Sequence, residues 1–448
     1  MIKNYYKLLD HGQKELRKAA LEIVQAGIEK ADPEQSTYNL VKMDGYRLKI
    51  LNVEYNLRKI NRIFVIGTGK GSYSIAKALE NLLGDLIYEG VTVVKRGDRR
   101  KLNKIEVIEA GHPIPDENSI VGAKKILELT KKADRNDIIF AAITGGSSAL
   151  TTIPSNGIKL QDIQKLTDLL LRSGAIISEI NAVRKHLCLI KGGRLLWYAQ
   201  PAEVVTFTLD TAPENMPWPD MVLPDPSTFQ DAIDILKKYD LWGTIPSSIR
   251  LFLVNNSGNS DLETLKSTKG MKSRIFFVGS PNKTCEAASK KAEELGYKSI
   301  ILSTNLEGEA KDVGICLAGI SKEVIKYNRP FSPPCAIITG GETTVTVGKA
   351  IGYGGPNQEF VLAFAEKMGA DKSFSCVSLD TDGTDGPTDF AGGIVDGKTL
   401  ESAKKIGINI PELLAQHKSS KALIDLGDII LTGHTGTNVM NLRVILII

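Results

Sequence analysis

Three carboxylates fall within six residues in Asp380-Thr381-Asp382-Gly383-Thr384-Asp385-Gly386, directly after the apolar run Ser375 to Leu379. Charges this crowded repel unless a cation or hydrogen-bond donors compensate them. A hard cation such as Mg²⁺ takes one or two carboxylates and keeps several waters. Asp380 and Asp385 are therefore candidate metal ligands, and Asp382 is a candidate proton acceptor. The alternative is a set of Asx turns in which the carboxylates cap nearby N–H groups. A calcium EF-hand is excluded, because its third acidic ligand and its glycine should come one residue earlier.

Several glycine-rich turns could cradle anions. Gly67-Thr68-Gly69-Lys70 lies between the apolar run Ile63 to Ile66 and a helical pattern from about Ser72 to Leu83. Amides at such a helix start suit a phosphate, and Lys70 adds a positive charge. The spacing is neither a P-loop nor Gly-x-Gly-x-x-Gly, so a purely structural turn explains these glycines equally well. Thr144-Gly145-Gly146-Ser147-Ser148 and Thr339-Gly340-Gly341-Glu342-Thr343 each follow an apolar run. A strand ending in Gly-Gly lets its backbone approach a ligand. Gly433-His434-Thr435-Gly436-Thr437-Asn438 offers further N–H and hydroxyl donors, and Gly355-Pro356-Asn357-Gln358 opens another helical pattern. Asn181, Arg184 and Lys185 could hold a carboxylate, Arg184 through a bidentate pair that lysine cannot copy. An exposed helical face accounts for Arg184 and Lys185 equally well.

The elements that carry these loops follow from periodicity. Residues 13 to 30 have helical spacing. Strands are expected at Ile63–Ile66, Val91–Val94, Ile105–Ile108, Ile138–Ile143 and Val204–Leu209, with helices between them. Such alternation predicts an α/β fold built on mostly parallel sheets with flanking helices. Residues 213 to 226 hold five prolines and break the pattern. A domain boundary is placed near Trp242, giving an N-terminal Rossmann-like domain over 1–242 and a C-terminal α/β domain over 243–448. In the second half, strands are expected at Ile275–Val278, Ser299–Leu302, Ala336–Ile338, Thr343–Val347, Ser375–Leu379 and Ile429–Leu431. A buried terminal strand is expected at Val444–Ile448.

Composition excludes several classes. The net charge of +4 over 448 residues gives no concentrated basic face for nucleic acid. The densest basic run, Lys95 to Lys101, reads as a solvated turn. Five scattered cysteines without a Cys-x-x-Cys pair argue against a zinc site or a disulfide framework. No apolar stretch is long enough to span a bilayer, and the N-terminal residues lack a signal-peptide pattern. A cytoplasmic protein is expected.

The loops quoted above, in their order and with Ala110-Gly111-His112-Pro113-Ile114-Pro115-Asp116 and Lys191-Gly192-Gly193, resemble those of glycerate 2-kinases of the GckA/TtuD (MOFRL) family. The resemblance covers nearly the whole chain, with the MOFRL-like region at about 330–448. It implies ATP-dependent phosphorylation of D-glycerate at the 2-hydroxyl with Mg²⁺, two α/β domains and an active site in the cleft between them. A homodimer is compatible with it. On this view Lys70, Asp210 and Asp382 are catalytic, and Ser147, Ser148, Asn181, Arg184 and Lys185 hold the substrate. The nucleotide would lie against Gly67, Gly69, Thr339 to Thr343, Asn357, Gln358, Gly433, His434, Thr435 and Asn438. The chain departs from the family where a Ser-Asp-Val-x-Gly-Asp segment and then Ala-Ser-Gly-Pro-Thr are usual. It has Thr208 to Asp220 and then Met221 to Pro224 there, and Asp210 keeps the first acid. Pro356 also replaces an arginine often found before Asn-Gln-Glu. Two other readings are a nicotinamide-dependent hydroxypyruvate reductase and a non-catalytic sugar-phosphate sensor. The strand after the first glycine turn ends in Lys95-Arg96 with no acid for a ribose, which counts against NAD.

Overall fold

The computed structural model describes residues 1–98, 100–209, 218–348, 352–369 and 371–448. Strands, in chain order, are β1 (Val41–Asp44), β2 (Arg47–Ile50), β3 (Val53–Asn56), β4 (Ile63–Thr68), β5 (Ile87–Lys95), β6 (Ile105–Ala110), β7 (Ile138–Ile143), β8 (Glu203–Leu209) and β9 (Ser273–Gly279). They continue as β10 (Lys298–Leu306), β11 (Cys335–Gly341), β12 (Phe374–Asp380), β13 (Gly392–Asp396), β14 (Ile429–Ile430) and β15 (Asn441–Ile447). The chain divides into two compact units, Pro33–Val278 and a composite of Met1–Asp32 with Gly279–Ile448.

In the unit Pro33–Val278 the main sheet has the order β6-β5-β4-β7-β8-β9, and its pairs from β6 to β8 are parallel. β4 and β7 are buried at every residue, as strands covered by helices on both faces must be. Phe64, Ile66, Val91, Val93, Ile139 and Ala141 form one core with Ala123, Ile126 and Leu129 of the helix Glu117–Lys132. That helix starts at a reciprocal cap between Asp116 and Ser119. From β4 the chain runs outward to β5 and β6, then returns to β7 on the other side. The strand order therefore reverses between β4 and β7, and parallel sheets collect ligands at the carboxyl ends flanking such a reversal. A three-stranded antiparallel ribbon, β1-β2-β3, had no counterpart in the periodicity reading.

Two expectations need correction here. The strand Ile275–Val278, assigned above to the second half, lies in β9 and extends the first sheet beside β8. The boundary placed near Trp242 falls inside a single core. Phe229, Ile233 and Leu236 before it pack with Ile245, Ile249 and Leu253 after it. Of the proline-rich stretch, the described residues 218–226 lie inside this unit, not at its end.

In the composite unit the order is β10-β11-β15-β12-β13-β14. Only β10 and β11 pair in parallel, and the other four pairs are antiparallel, so this second sheet is mixed rather than mostly parallel. The cause is β15, the last strand, which inserts between β11 and β12 and runs against both. β13, which follows β12 through residues 381–391, also pairs with it antiparallel. Alternate residues face opposite cores. Ile337, Ile445 and Ile447 join Phe360, Phe364 and Leu317 on one side, while Ile338, Val444 and Leu446 join Leu21, Val24 and Ala288 on the other. The helix Lys14–Lys30 thus packs in this unit, although it lies at the other end of the chain. Thr343–Val347 is not a strand; Thr344 makes a single bridge to Glu309.

Candidate functional site

In the unit Pro33–Val278, the turn after β4 and the turn after β7 lock together at the order reversal. Lys70 N donates to Gly145 O at 2.8 Å, Gly71 N to Thr144 Oγ1 at 2.9 Å, and Thr144 N to Thr68 O at 2.9 Å. Gly69, at φ +121°, has no room for a Cβ because Thr144 stands there. The glycines of this turn therefore serve the approach of two loops as well as any ligand. Gly67, the last residue but one of β4, lies against Thr92, and Gly146 at φ +89° lies against His112 and the Lys70 side chain. Lys70 is half-buried at the mouth of this turn.

Ser147 and Ser148 begin the short helix Ser147–Leu150, and neither hydroxyl has a hydrogen-bond partner although both are buried. Ser148, Thr152, Arg184 and Lys191 line one pocket with Pro115, Ile163, Leu166, Thr167 and Leu187. Asn181, Arg184 and Lys185 come from the helix Ile177–His186. Lys185 pairs with Asp225 at 3.3 Å, with side chains 5% and 1% exposed. Burial pulls the Arg184 guanidinium down to about 10, opposed by Asp220, so it stays cationic at neutral pH. Lys191 is lowered by burial and donates to Thr152 Oγ1 at 3.3 Å. Arg194 is held by the carbonyls of Lys185, Cys188, Lys191 and Leu262, which fixes the loop beneath the pocket.

The sequence reading missed Lys191 and Asp220 as site residues. Asp220 is 3% exposed, and neither carboxylate oxygen meets a hydrogen-bond donor. Burial pushes the Asp220 carboxyl above the ordinary carboxylate range, against the pull of Lys185, Lys191 and Arg184. Its only sequence signal was its place at the end of the atypical stretch. Asp210 lies outside the described residues.

In the composite unit the predicted residues gather where β11 and β12 end and β15 begins. Asn441 stands in register with both Gly341 and Asp380. The acidic loop meets the Gly433 loop, with Thr435 Oγ1 donating to Thr381 O at 2.5 Å and Thr435 N to Asp382 O at 3.3 Å. His434 is exposed, and Asn438 bonds Met440 N in a local turn. Gly341, at φ +109°, is required by the backbone of Leu306 on β10, so this Gly-Gly end serves strand packing. Glu342 is exposed and Thr343 is buried.

The carboxylates differ in what they do. Asp385 accepts from Asn357 N and Nδ2 on one oxygen and from Gln358 N and Nε2 on the other, each at 3.0 Å. A carboxylate accepts about four hydrogen bonds, so Asp385 does not fit a metal ligand. It caps the helix Pro356–Met368 instead. Asp382 Oδ1 accepts from Thr384 N and Oγ1 at 2.7 and 2.8 Å, and Asp380 Oδ1 from Asp382 N at 3.1 Å, both Asx turns. Asp380 is half-buried at the strand end and fits a hard cation that needs one or two carboxylates. Among the described residues no three His, Cys, Asp or Glu side chains converge as a metal cage.

Asn357 and Gln358, expected to touch a nucleotide, are 1% and 0% exposed and bonded inward. Besides Asp385, Asn357 accepts from Ser378 Oγ at 2.5 Å and donates to Asn441, while Gln358 accepts from Ser420 Oγ at 2.5 Å. Beside them Arg443 on β15 is fully buried and lowered to about 10 by that burial. Its Nη2 donates to Thr343 Oγ1 at 2.7 Å and its guanidinium lies 5.0 Å from the Phe360 ring centre.

Known proteins resemble this chain along its length. Residues 19–254 match the domain family described as a domain of unknown function, DUF4147, and residues 335–441 match the MOFRL family. A glycerate 2-kinase of Pyrococcus horikoshii is 41% identical, with 97% of this chain and 98% of the relative covered. A D-glycerate 2-kinase of Thermotoga maritima is 38% identical over 97% of this chain and 99% of that protein. The crystal structure of a glycerate kinase from Thermotoga maritima superposes with a TM-score of 0.79 at 36% identity, covering 97% of this chain and all of that one (100%). The domain pair, the nearly complete coverage and the loops in their order together place the chain in the glycerate 2-kinase family of the DUF4147–MOFRL type.

Proposed function

We propose that this chain transfers the terminal phosphoryl group of ATP to the 2-hydroxyl of D-glycerate, giving 2-phosphoglycerate and ADP. The observation that carries the reading is the set of side chains on the two turns that lock together at the strand-order reversal. There Lys70 stands at a glycine-rich helix start in the same unit as the buried Ser147 and Ser148 hydroxyls and Arg184. Kinase is the activity named for both relatives above. Phosphoryl transfer asks for positioning and charge neutralisation more than covalent chemistry.

In this proposal Arg184 and the Ser147–Ser148 turn hold the glycerate carboxylate, and Lys70 neutralises phosphate oxygens. Asp380, with Asp382 beside it, would hold Mg²⁺, which when bound screens the charge of the phosphate oxygens. Asp210 keeps its place as a candidate proton acceptor. No helix among the described residues is long and apolar enough to cross a membrane, and the proposed setting is the cytoplasm.

The test is a ³¹P spectrum of the full chain incubated with ATP, Mg²⁺ and D-glycerate, beside a control lacking glycerate. A 2-phosphoglycerate resonance with matching ADP supports the reading. Absence of product with every divalent cation tried, together with NADH consumption on hydroxypyruvate, replaces it with the reductase.

A further inference from the structure

We propose that Asp220 recognises the hydroxyl group of the acceptor and makes this pocket selective for hydroxy acids over plain carboxylates; the proposal rests on the phosphoryl-acceptor reading above. The main chain around Asp220 is fixed. Gly193 N donates to Asp220 O at 2.7 Å and Leu196 N to Met221 O at 3.4 Å. The side chain is nevertheless left without a donor on either oxygen, at 3% exposure. Its neighbour Asp225 shows the contrast. One oxygen takes Lys185 and Ser227 N, and both take Ser227 Oγ, so that carboxylate is structurally satisfied.

Buried polar groups are almost always paired, and one that is not points to a missing partner. Both Asp220 oxygens are open acceptor positions, and a hydroxyl is a partner that fills one of them. The surrounding groups ask for the opposite. Arg184 brings a guanidinium and Lys191 three N–H donors or a free amine, and the Ser147 and Ser148 hydroxyls are buried without partners. A small molecule carrying a carboxylate next to a hydroxyl satisfies both demands: its anionic end meets Arg184, Lys191 and the serines, and its O–H meets Asp220.

The test compares D-glycerate with propionate, which has the carboxylate but no hydroxyl, on the full chain. Ligand-induced shifts in Tm at equal concentration report binding without turnover. The intact protein should be stabilised more by D-glycerate than by propionate. Asp220→Ala should abolish that preference while keeping or enlarging the propionate shift. It should also raise KM for D-glycerate about tenfold or more, the range for losing a hydrogen bond to a charged group, with kcat changed less. Asp220→Val, which also removes the acceptor, gives the same comparison if the alanine variant does not fold. Equal weakening of both ligands, or an unchanged preference in the variants, overturns the proposal. A protein that prefers D-glycerate but releases no ADP removes the kinase reading and leaves this one standing. One that makes product without preferring D-glycerate over propionate does the reverse.

Discussion

Lys70 and Arg184 carry the charge argument at the level of single residues. Lys70 is positioned by its own amide bond to Gly145, so its ammonium is presented by a fixed turn. Removing a preorganised charge from a transition state typically costs about 10²–10³ in rate. Lys70→Ala is expected to lower kcat by that range in an ADP-release assay, with Tm changed by no more than a few degrees. Arg184→Lys keeps the charge but loses the planar fork. It should raise KM for D-glycerate about tenfold and leave kcat within a few-fold, measured in the same assay.

Among the elements, the helix Pro356–Met368 depends on Asp385. Pro356 at its start has no N–H to lose, and the next donors are met by the Asp385 carboxylate. Asp385→Ala would strand four buried donors, and urea denaturation should show a loss of about 2–4 kcal/mol. The same residue predicts a pH dependence. Burial pushes the Asp385 carboxyl up to about 6, although the four N–H donors pull it down. A folded value above the ordinary one near 4 means the folded state holds the proton longer than the unfolded chain. That contribution is complete below about pH 4 and is lost as pH rises toward 6. Relative to Asp385→Asn, the native protein should therefore lose up to about 3 kcal/mol between those pH values, read from paired denaturation curves.

For the molecule as a whole, the chain's first residues complete the unit formed by its last 170 or so. Arg17, 1% exposed, bonds Asp396 and reaches Asp428 at 2.6 Å, with His11 at 2.7 Å from the same carboxylate. Leu21 and Val24 share a core with Val377, Leu442 and Val444. A fragment of residues 279–448 alone should thus lack cooperative unfolding by circular dichroism, whereas 33–278 should unfold in one transition. Arg17→Met leaves two buried carboxylates without their cation, a loss expected at about 3–5 kcal/mol. A folded, cooperative 279–448 fragment would show that the N-terminal segment is dispensable.

Local periodicity alone located most elements, because burial on one or two faces is written directly into neighbouring residues. The helix at Lys14–Lys30 and strands β4, β7, β8 and β15 all followed from it, as did the glycine-rich turns after β4 and β7. The mixed order of the second sheet, the place of β9 and the return of the N-terminal helix depend on pairing between distant segments, which periodicity does not encode. The same holds for the carboxylates. Their crowding in Asp380–Asp385 was visible, but that Asp385 serves as a helix cap required Asn357 and Gln358, which are 28 and 27 residues away, to be brought against it. Asp220 was one acid in an irregular stretch until folding buried it near Arg184, Lys185 and Lys191. A side chain's chemistry is set by its dielectric surroundings and partners, and these exist only once the chain has closed on itself.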